Sequence, residues 1–398
     1  MRELPTSPTA SHQIRATADA FAEAPTTLRL CWEVVAARHE NGVQPLQALR
    51  SLLGRADVVA ALNRLQRPGQ RLRVAAVTPL GDADAADVKA LALSLRETAR
   101  ALAAFDVGFD VWPQIDDDDR FLNTRSARAY SDRLLPVLKC LRDLLLLAPD
   151  AEGSDVDVGL FLDMEPPLST LQGAWRLTNG APVLEKARGL GSLFSGVVSA
   201  VWDARQGSRD LAELAKDLAA FSFPLVTAVP PPVLPLDAFG SVAVKRWVLG
   251  CPDDDGAGAA LFGRTAALCY APMLRRSGVD RSAQHRALSL WAARHRERSD
   301  AICVGPLSSG LLGDEPVYVA PEHLRQDLSA VRALGFADVT LYSAEGLLFG
   351  PGGDPGKPLR PDLDAWIDAV VAGAGEALGA DVVAPAARPL GVSVASVG

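Results

Sequence analysis

The feature that most constrains this 398-residue chain is a rhythm in which a short apolar run of strand character is followed by a stretch with helical spacing, again and again. The strand-like runs are Leu28 to Val35, Arg71 to Leu80, Phe105 to Ile115, Asp155 to Glu165, Phe223 to Pro230, Ala266 to Met273, Ala301 to Leu307 and Val339 to Ser343. Between them lie helical patterns at Leu46 to Leu62, Ala85 to Ala104, Thr124 to Leu147, Leu193 to Trp202, Leu211 to Phe221, Arg281 to Arg298 and Pro321 to Leu334, and Leu363 to Ala372 closes the series. About eight such units in one chain predict an α/β fold of a single domain, the closed (β/α)8 or TIM barrel. A doubly wound open sheet is the alternative. It would carry a glycine-rich turn after its first strand, and Cys31-Trp-Glu-Val-Val has no glycine. The barrel is expected over residues 28–380, with a polar N-terminal leader at 1–27 and a Pro/Ala/Val-rich C-terminal tail at 381–398.

Composition narrows the partners. The chain is 48% hydrophobic with a net charge of -8, and its Lys and Arg residues are scattered. That balance argues against nucleic acid or an anionic membrane surface and favours a small, neutral substrate. The first residues lack the apolar core of a secretory signal, and no run reaches the roughly 18 apolar residues of a membrane span. A cytoplasmic location is expected. Five cysteines, Cys31, Cys140, Cys251, Cys269 and Cys303, are widely spaced and suit reduced core thiols, with no zinc-ligand spacing.

The fourth strand carries the chemistry. On a strand, side chains alternate, so Phe161, Asp163 and Glu165 share one face. Pro166 and Pro167 cannot continue a ladder, which leaves Glu165 at the open end of the sheet. Other polar residues gather at the carboxyl ends of strands, where barrel active sites lie: Glu33, Asp82, Gln114, Asp116, Tyr270, Ser308, Ser343 and Glu345. Histidine is missing from these ends. There is no Gly-x-Ser-x-Gly elbow and no lysine at a strand tip for a Schiff base. Carboxylate runs at Asp116 to Asp119 and Asp253 to Asp255 read as solvated loops, so neither a metal nor a cofactor is expected.

Paired acids in a cleft suit glycosidic bond cleavage, in which a protonated acid donates to the leaving oxygen. Glu165 is the proton donor in this reading and Asp163 its partner. If a second carboxylate is required, the candidates rank Glu345, then Glu33, then Asp116. Trp32, Trp112, Tyr270 and Tyr342 are placed to stack on sugar rings, with Gln114 and Ser343 as polar contacts. The expected ligand is a carbohydrate or a glycosylated small molecule.

The stretch Gly159-Leu-Phe-Leu-Asp163-Met-Glu165 resembles the fourth-strand motif of the chitinase family of glycoside hydrolases, family 18. The resemblance implies a barrel hydrolase in which Glu165 is the general acid and Asp163 orients the substrate's own acetamido group. It also implies that Tyr270, in Leu268-Cys-Tyr270-Ala, sits beside the acetamido oxygen. Two positions depart from the family pattern: Phe161 replaces an inner acid, and Ala271 replaces the acid after the sixth-strand tyrosine. These departures keep two other readings open. One is a non-hydrolytic barrel lyase or isomerase; the other is a catalytically silent barrel that binds a glycan.

Overall fold

The structure is a computed structural model that describes residues 26–33, 43–81, 84–115, 120–147, 156–165, 172, 206–207, 209–229, 264–296, 299–310 and 313–375. Most of the expected leader, the C-terminal tail, the expected helix Leu193 to Trp202, and the runs Asp116 to Asp119 and Asp253 to Asp255 lie outside the described residues. So do Asp82, Pro166, Pro167 and Cys251.

Eight parallel strands close into a barrel in sequence order. They are β1 (Thr26–Trp32), β2 (Gln70–Leu80), β3 (Val107–Ile115), β4 (Val158–Asp163), β5 (Leu225–Val229), β6 (Thr265–Cys269), β7 (Ala301–Val304) and β8 (Asp338–Tyr342). The seam is closed by β8 against β1, with Leu30 beside Leu341 and Cys31 beside Tyr342. The α-helices are α1 (Val43–Leu53), α2 (Ala56–Leu65), α3 (Ala85–Ala103), α4 (Ala127–Leu147), α5 (209–219), α6 (Arg281–Arg296), α7 (Pro321–Ala333), α8 (Ala344–Phe349) and α9 (Leu363–Gly375). This is the (β/α)8 barrel that the alternation predicts. No helix among the described residues is long and apolar enough to cross a membrane.

Strand parity divides the apolar residues into two cores. Leu28, Leu30, Leu72, Val74, Phe109, Val111, Leu160 and Leu162 point outward and pack under the helices. Cys31, Ala75, Val77, Trp112, Phe161, Val226, Ala228, Ala266 and Cys303 point inward and fill the barrel. Because both faces are covered, the strands read as continuous apolar runs rather than alternating ones. Small residues on β5, β6 and β7 face the two large rings of Trp112 and Phe161, which meet edge to face at 5.4 Å.

Towards the amino ends of the strands the interior turns ionic. Arg29 donates from Nε to Asp110 at 2.6 Å and from Nη1 to Asp338 at 2.7 Å and Thr340 at 3.2 Å. Arg73 closes on the same Asp110 with bonds of 2.9 and 2.8 Å and also pairs with Asp157. Burial alone would discharge these groups. Asp338 and Asp110 instead hold the Arg29 guanidinium more firmly charged, while Arg29 and Arg73 keep the Asp110 carboxyl below its ordinary range. Glycine makes the room: a Cβ on Gly159 would strike the Asp110 carboxylate and stand 2.9 Å from the Pro224 carbonyl.

Three local expectations change. The single helix expected over Leu46 to Leu62 is two, α1 and α2, because Gly54 ends the first turn series and Arg55 is extended at φ -86° and ψ 120°. The sixth strand stops at Cys269 rather than Met273, since Pro272 has no N–H for the ladder and begins a short 3-10 helix over Ala271–Ser277. The stretch after Tyr342 is helical. Ser343 caps α8, its Oγ accepting from the Gly346 N–H at 3.3 Å, and Gly350 ends the helix.

Candidate active site

The carboxyl ends of β1, β3, β4, β6 and β8 bring the candidate residues to one mouth of the barrel. Asp163 is the last residue of β4 and Glu165 lies two beyond it, on the inward parity that the alternation predicts. The tip is held from β3's side of the barrel: Leu122 N–H donates to the Asp163 carbonyl at 2.9 Å, and Asn123 Nδ2 donates to the Glu165 carbonyl at 3.3 Å. Glu33 follows β1 on the same inward parity, 4% exposed, and its Oε2 accepts a hydrogen bond from the Tyr342 hydroxyl. Trp112, Gln114, Tyr270 and Tyr342 join this set.

Aromatic rings form its floor and one wall. Tyr342 stacks on Tyr270 with centroids 5.4 Å apart and meets Trp112 at 6.3 Å, edge to face. The Tyr270 hydroxyl lies 3.6 Å from Cys303 Sγ. Trp112 is therefore a packed ring, 2% exposed, and not the open platform expected at the rim. Trp32 also differs from expectation. Outward parity sends it into the core between barrel and helices, away from the mouth.

Two further expected residues occupy α8 and not a strand tip. Ser343 is its N-cap and shares a 2.5 Å hydrogen bond with Ser308 Oγ. Glu345, placed first among the expected second carboxylates, sits in the first turn of α8 and is fully buried. Its charge reaches Glu33. Asp116 lies outside the described residues.

The electrostatics are dominated by acids, of which Glu33, Asp163 and Glu345 are buried and Glu165 is half-buried. Burial, followed by Glu345 and Glu315, pushes the Glu33 carboxyl up to about 8, against an opposing pull from Arg120. Burial and then Glu315 raise Glu165 to about 7. Asp163 is driven well above its ordinary range by burial first, then by Glu165 and Glu33. Carboxyl groups here keep their protons near neutrality and can donate them, as a general acid must.

Glu315 and Arg120 were not foreseen. Glu315 stands in the loop between β7 and α7, and Arg120 follows the acidic run after β3; neither lies in an apolar run, so period and parity gave no signal for them. Among the described residues, no group of three or more His, Cys, Asp or Glu side chains is arranged to hold a metal ion.

No family model matches the chain, and no curated protein does. Among solved structures, the chain is similar to a chitinase from Chromobacterium violaceum, with 12% identity and a TM-score of 0.41 over 88% of this chain and 99% of that one. It is also similar to an endo-beta-1,4-mannanase double mutant of Cellulomonas fimi, at 12% identity and TM-score 0.44, covering 89% of this chain and 73% of that one. An L-ribulose 3-epimerase gives 13% identity and TM-score 0.39, covering 92% and 99%.

Proposed function

We propose that the protein is a carbohydrate-acting enzyme that works by proton transfer between carboxyl groups, and that its reaction is the cleavage or remodelling of a glycosidic bond with Glu165 as general acid. The observation that carries this reading is the placement of Glu165. It stands two residues beyond the end of β4, next to Asp163 in parity, with its carboxyl raised to about 7 by burial and Glu315. At neutral pH a large fraction of Glu165 is protonated and able to protonate a leaving oxygen. Asp163, behind it, stays neutral and available to hydrogen-bond the substrate. The stacked pair of Tyr270 and Tyr342 offers an apolar wall for a sugar ring.

One observation favours a second reading, a non-hydrolytic isomerase or lyase. Glu33, after β1, is a second carboxyl raised near neutrality and fixed by Tyr342. Two such groups can act as base and acid in turn at a carbon centre. The two readings separate in deuterated water. Hydrolysis of aryl glycosides releases phenol without carbon-bound deuterium, whereas aldose–ketose or epimer interconversion washes deuterium into the sugar. Abolition of either activity by Glu165→Gln supports the assignment of Glu165. Full activity in that variant rejects it, and saturable glycan binding with neither reaction favours the silent barrel.

A further inference from the structure

Trp112 and Gln114 are two residues apart on β3 and share its inward face, and β4 runs alongside with Gly159 beside Asp110 and Leu160 beside Val111. Continued by one pair, that register sets Trp112 beside Phe161, as their 5.4 Å ring contact shows, and continued by three it sets Gln114 beside Asp163. The three polar side chains are 2%, 4% and 6% exposed. Among the described residues, Trp112 Nε1, Gln114 Nε2 and Asp163 Oδ1 are all buried without a hydrogen-bond partner. Buried polar atoms in folded proteins nearly always have one. Three such groups stand together on neighbouring strand ends at the mouth of the barrel. Trp32 Nε1 is also unpartnered, but it belongs to the outer core and cannot join them.

We propose that Trp112, Gln114 and Asp163 form one subsite for an uncharged, oxygen-bearing face of the substrate, of the kind that adjacent hydroxyls on a sugar ring present. The indole and carboxamide N–H groups only donate, so they call for oxygen lone pairs. Asp163 Oδ1 calls for a proton. A hydroxyl group meets both needs at once: it accepts from nitrogen and gives its own proton to the carboxyl oxygen. An ammonium group would serve Asp163 and leave both N–H groups unmet; a carboxylate would serve the N–H groups and face the acids. Burial keeps Asp163 neutral, which matches a neutral ligand. The donors are also fixed in advance, since Trp112 is clamped edge-on between Phe161 and Tyr342.

This subsite rests on the carbohydrate reading above, and its test separates the two. Binding is measured by calorimetry on full-length Glu165→Gln protein, so that no turnover intervenes. The probes are D-glucose, D-mannose, D-xylose and cellobiose, together with the matching deoxy and amino sugars. Gln114→Met is added, and separately Trp112→Phe. The expected results are that Gln114→Met melts at or above its parent, because the lost N–H had no partner, and that it binds the best neutral sugar about tenfold more weakly or worse. The deoxy sugar lacking the recognised hydroxyl binds the parent and the variant equally. Unchanged affinity for every sugar in both variants, or preference of the parent for an amino sugar at pH 7, overturns the subsite and leaves the carbohydrate reading standing. Failure of every probe to bind overturns the carbohydrate reading and the subsite with it.

Discussion

The hydroxyl of Tyr342, the last residue of β8, donates to Oε2 of Glu33, the residue that follows β1, so the seam that closes the barrel also joins two side chains at its mouth. A donated hydrogen bond favours the ionised carboxylate. Its loss in Tyr342→Phe should therefore move Glu33 further above its present value of about 8. The measurement is a carboxyl-carbon NMR titration of wild type against the variant, with Glu33→Gln to assign the signal. An unchanged or lower Glu33 value in Tyr342→Phe contradicts the contact.

Gly310 guards the same contact from the β7 side, since a Cβ there would run into the Tyr342 hydroxyl and come within 3.2 Å of Glu315 Oε1. Gly310→Ala should displace the tyrosine and lower kcat/KM, while circular dichroism shows an intact barrel. Wild-type kinetics in this variant would mean that the Tyr342 hydroxyl does not matter to turnover.

Glu165 should act in its protonated form, so kcat/KM is expected to fall as pH rises through about 7, approaching tenfold per pH unit beyond it. Glu165→Gln should lower the rate by about 10²- to 10⁴-fold and leave the melting temperature within a few degrees. A pH profile whose descending limb is absent in the wild type removes Glu165 from the role of acid.

Stability should also depend on pH, in a direction set by the raised acids. Glu33 and Glu165 bind their protons more tightly when folded, at about 8 and about 7, than at the ordinary value of 4.5. Their contribution is thus fully present below about 4.5 and is lost as pH rises through 7 and 8. Urea unfolding at a series of pH values should show stability declining between pH 5 and pH 8.5. Glu33→Gln should flatten part of that decline, and a slope identical to wild type in the variant would place Glu33 in contact with water.

Asp110 is shared by Arg29 and Arg73 in the ionic end of the barrel. Asp110→Ala leaves two guanidinium groups without their common partner, a loss of about 3–5 kcal/mol for a broken buried pair. Urea unfolding measures it, and a loss under about 1 kcal/mol would show that water already reaches these groups.

Much of the site was legible for a simple reason: parity. Once a run is a strand, alternate residues share a face, and this put Asp163 with Glu165 and, on their own strands, Trp112 with Gln114. Ser343 and Glu345 follow β8 in a capped helix, where strand parity no longer applies; the helix signal in the sequence is a serine at the cap with Gly350 closing the short run. Trp32 has the parity opposite to Arg29, Cys31 and Glu33 on β1, and only the closed barrel shows that theirs is the inner face.

The order of strands and helices, and hence the barrel, follows from the chain itself, because burying apolar runs of two different periods leaves few arrangements for about eight repeats. Tertiary structure alone decided which residues meet across the closed sheet. Arg29 finds Asp338 although 309 positions separate them, and Tyr342 finds Glu33 at the same separation. It also decided the charge states of the mouth. A carboxyl group's affinity for its proton depends on how much water remains around it and which charges stand nearby, and both are properties of the assembled barrel, absent from any one strand.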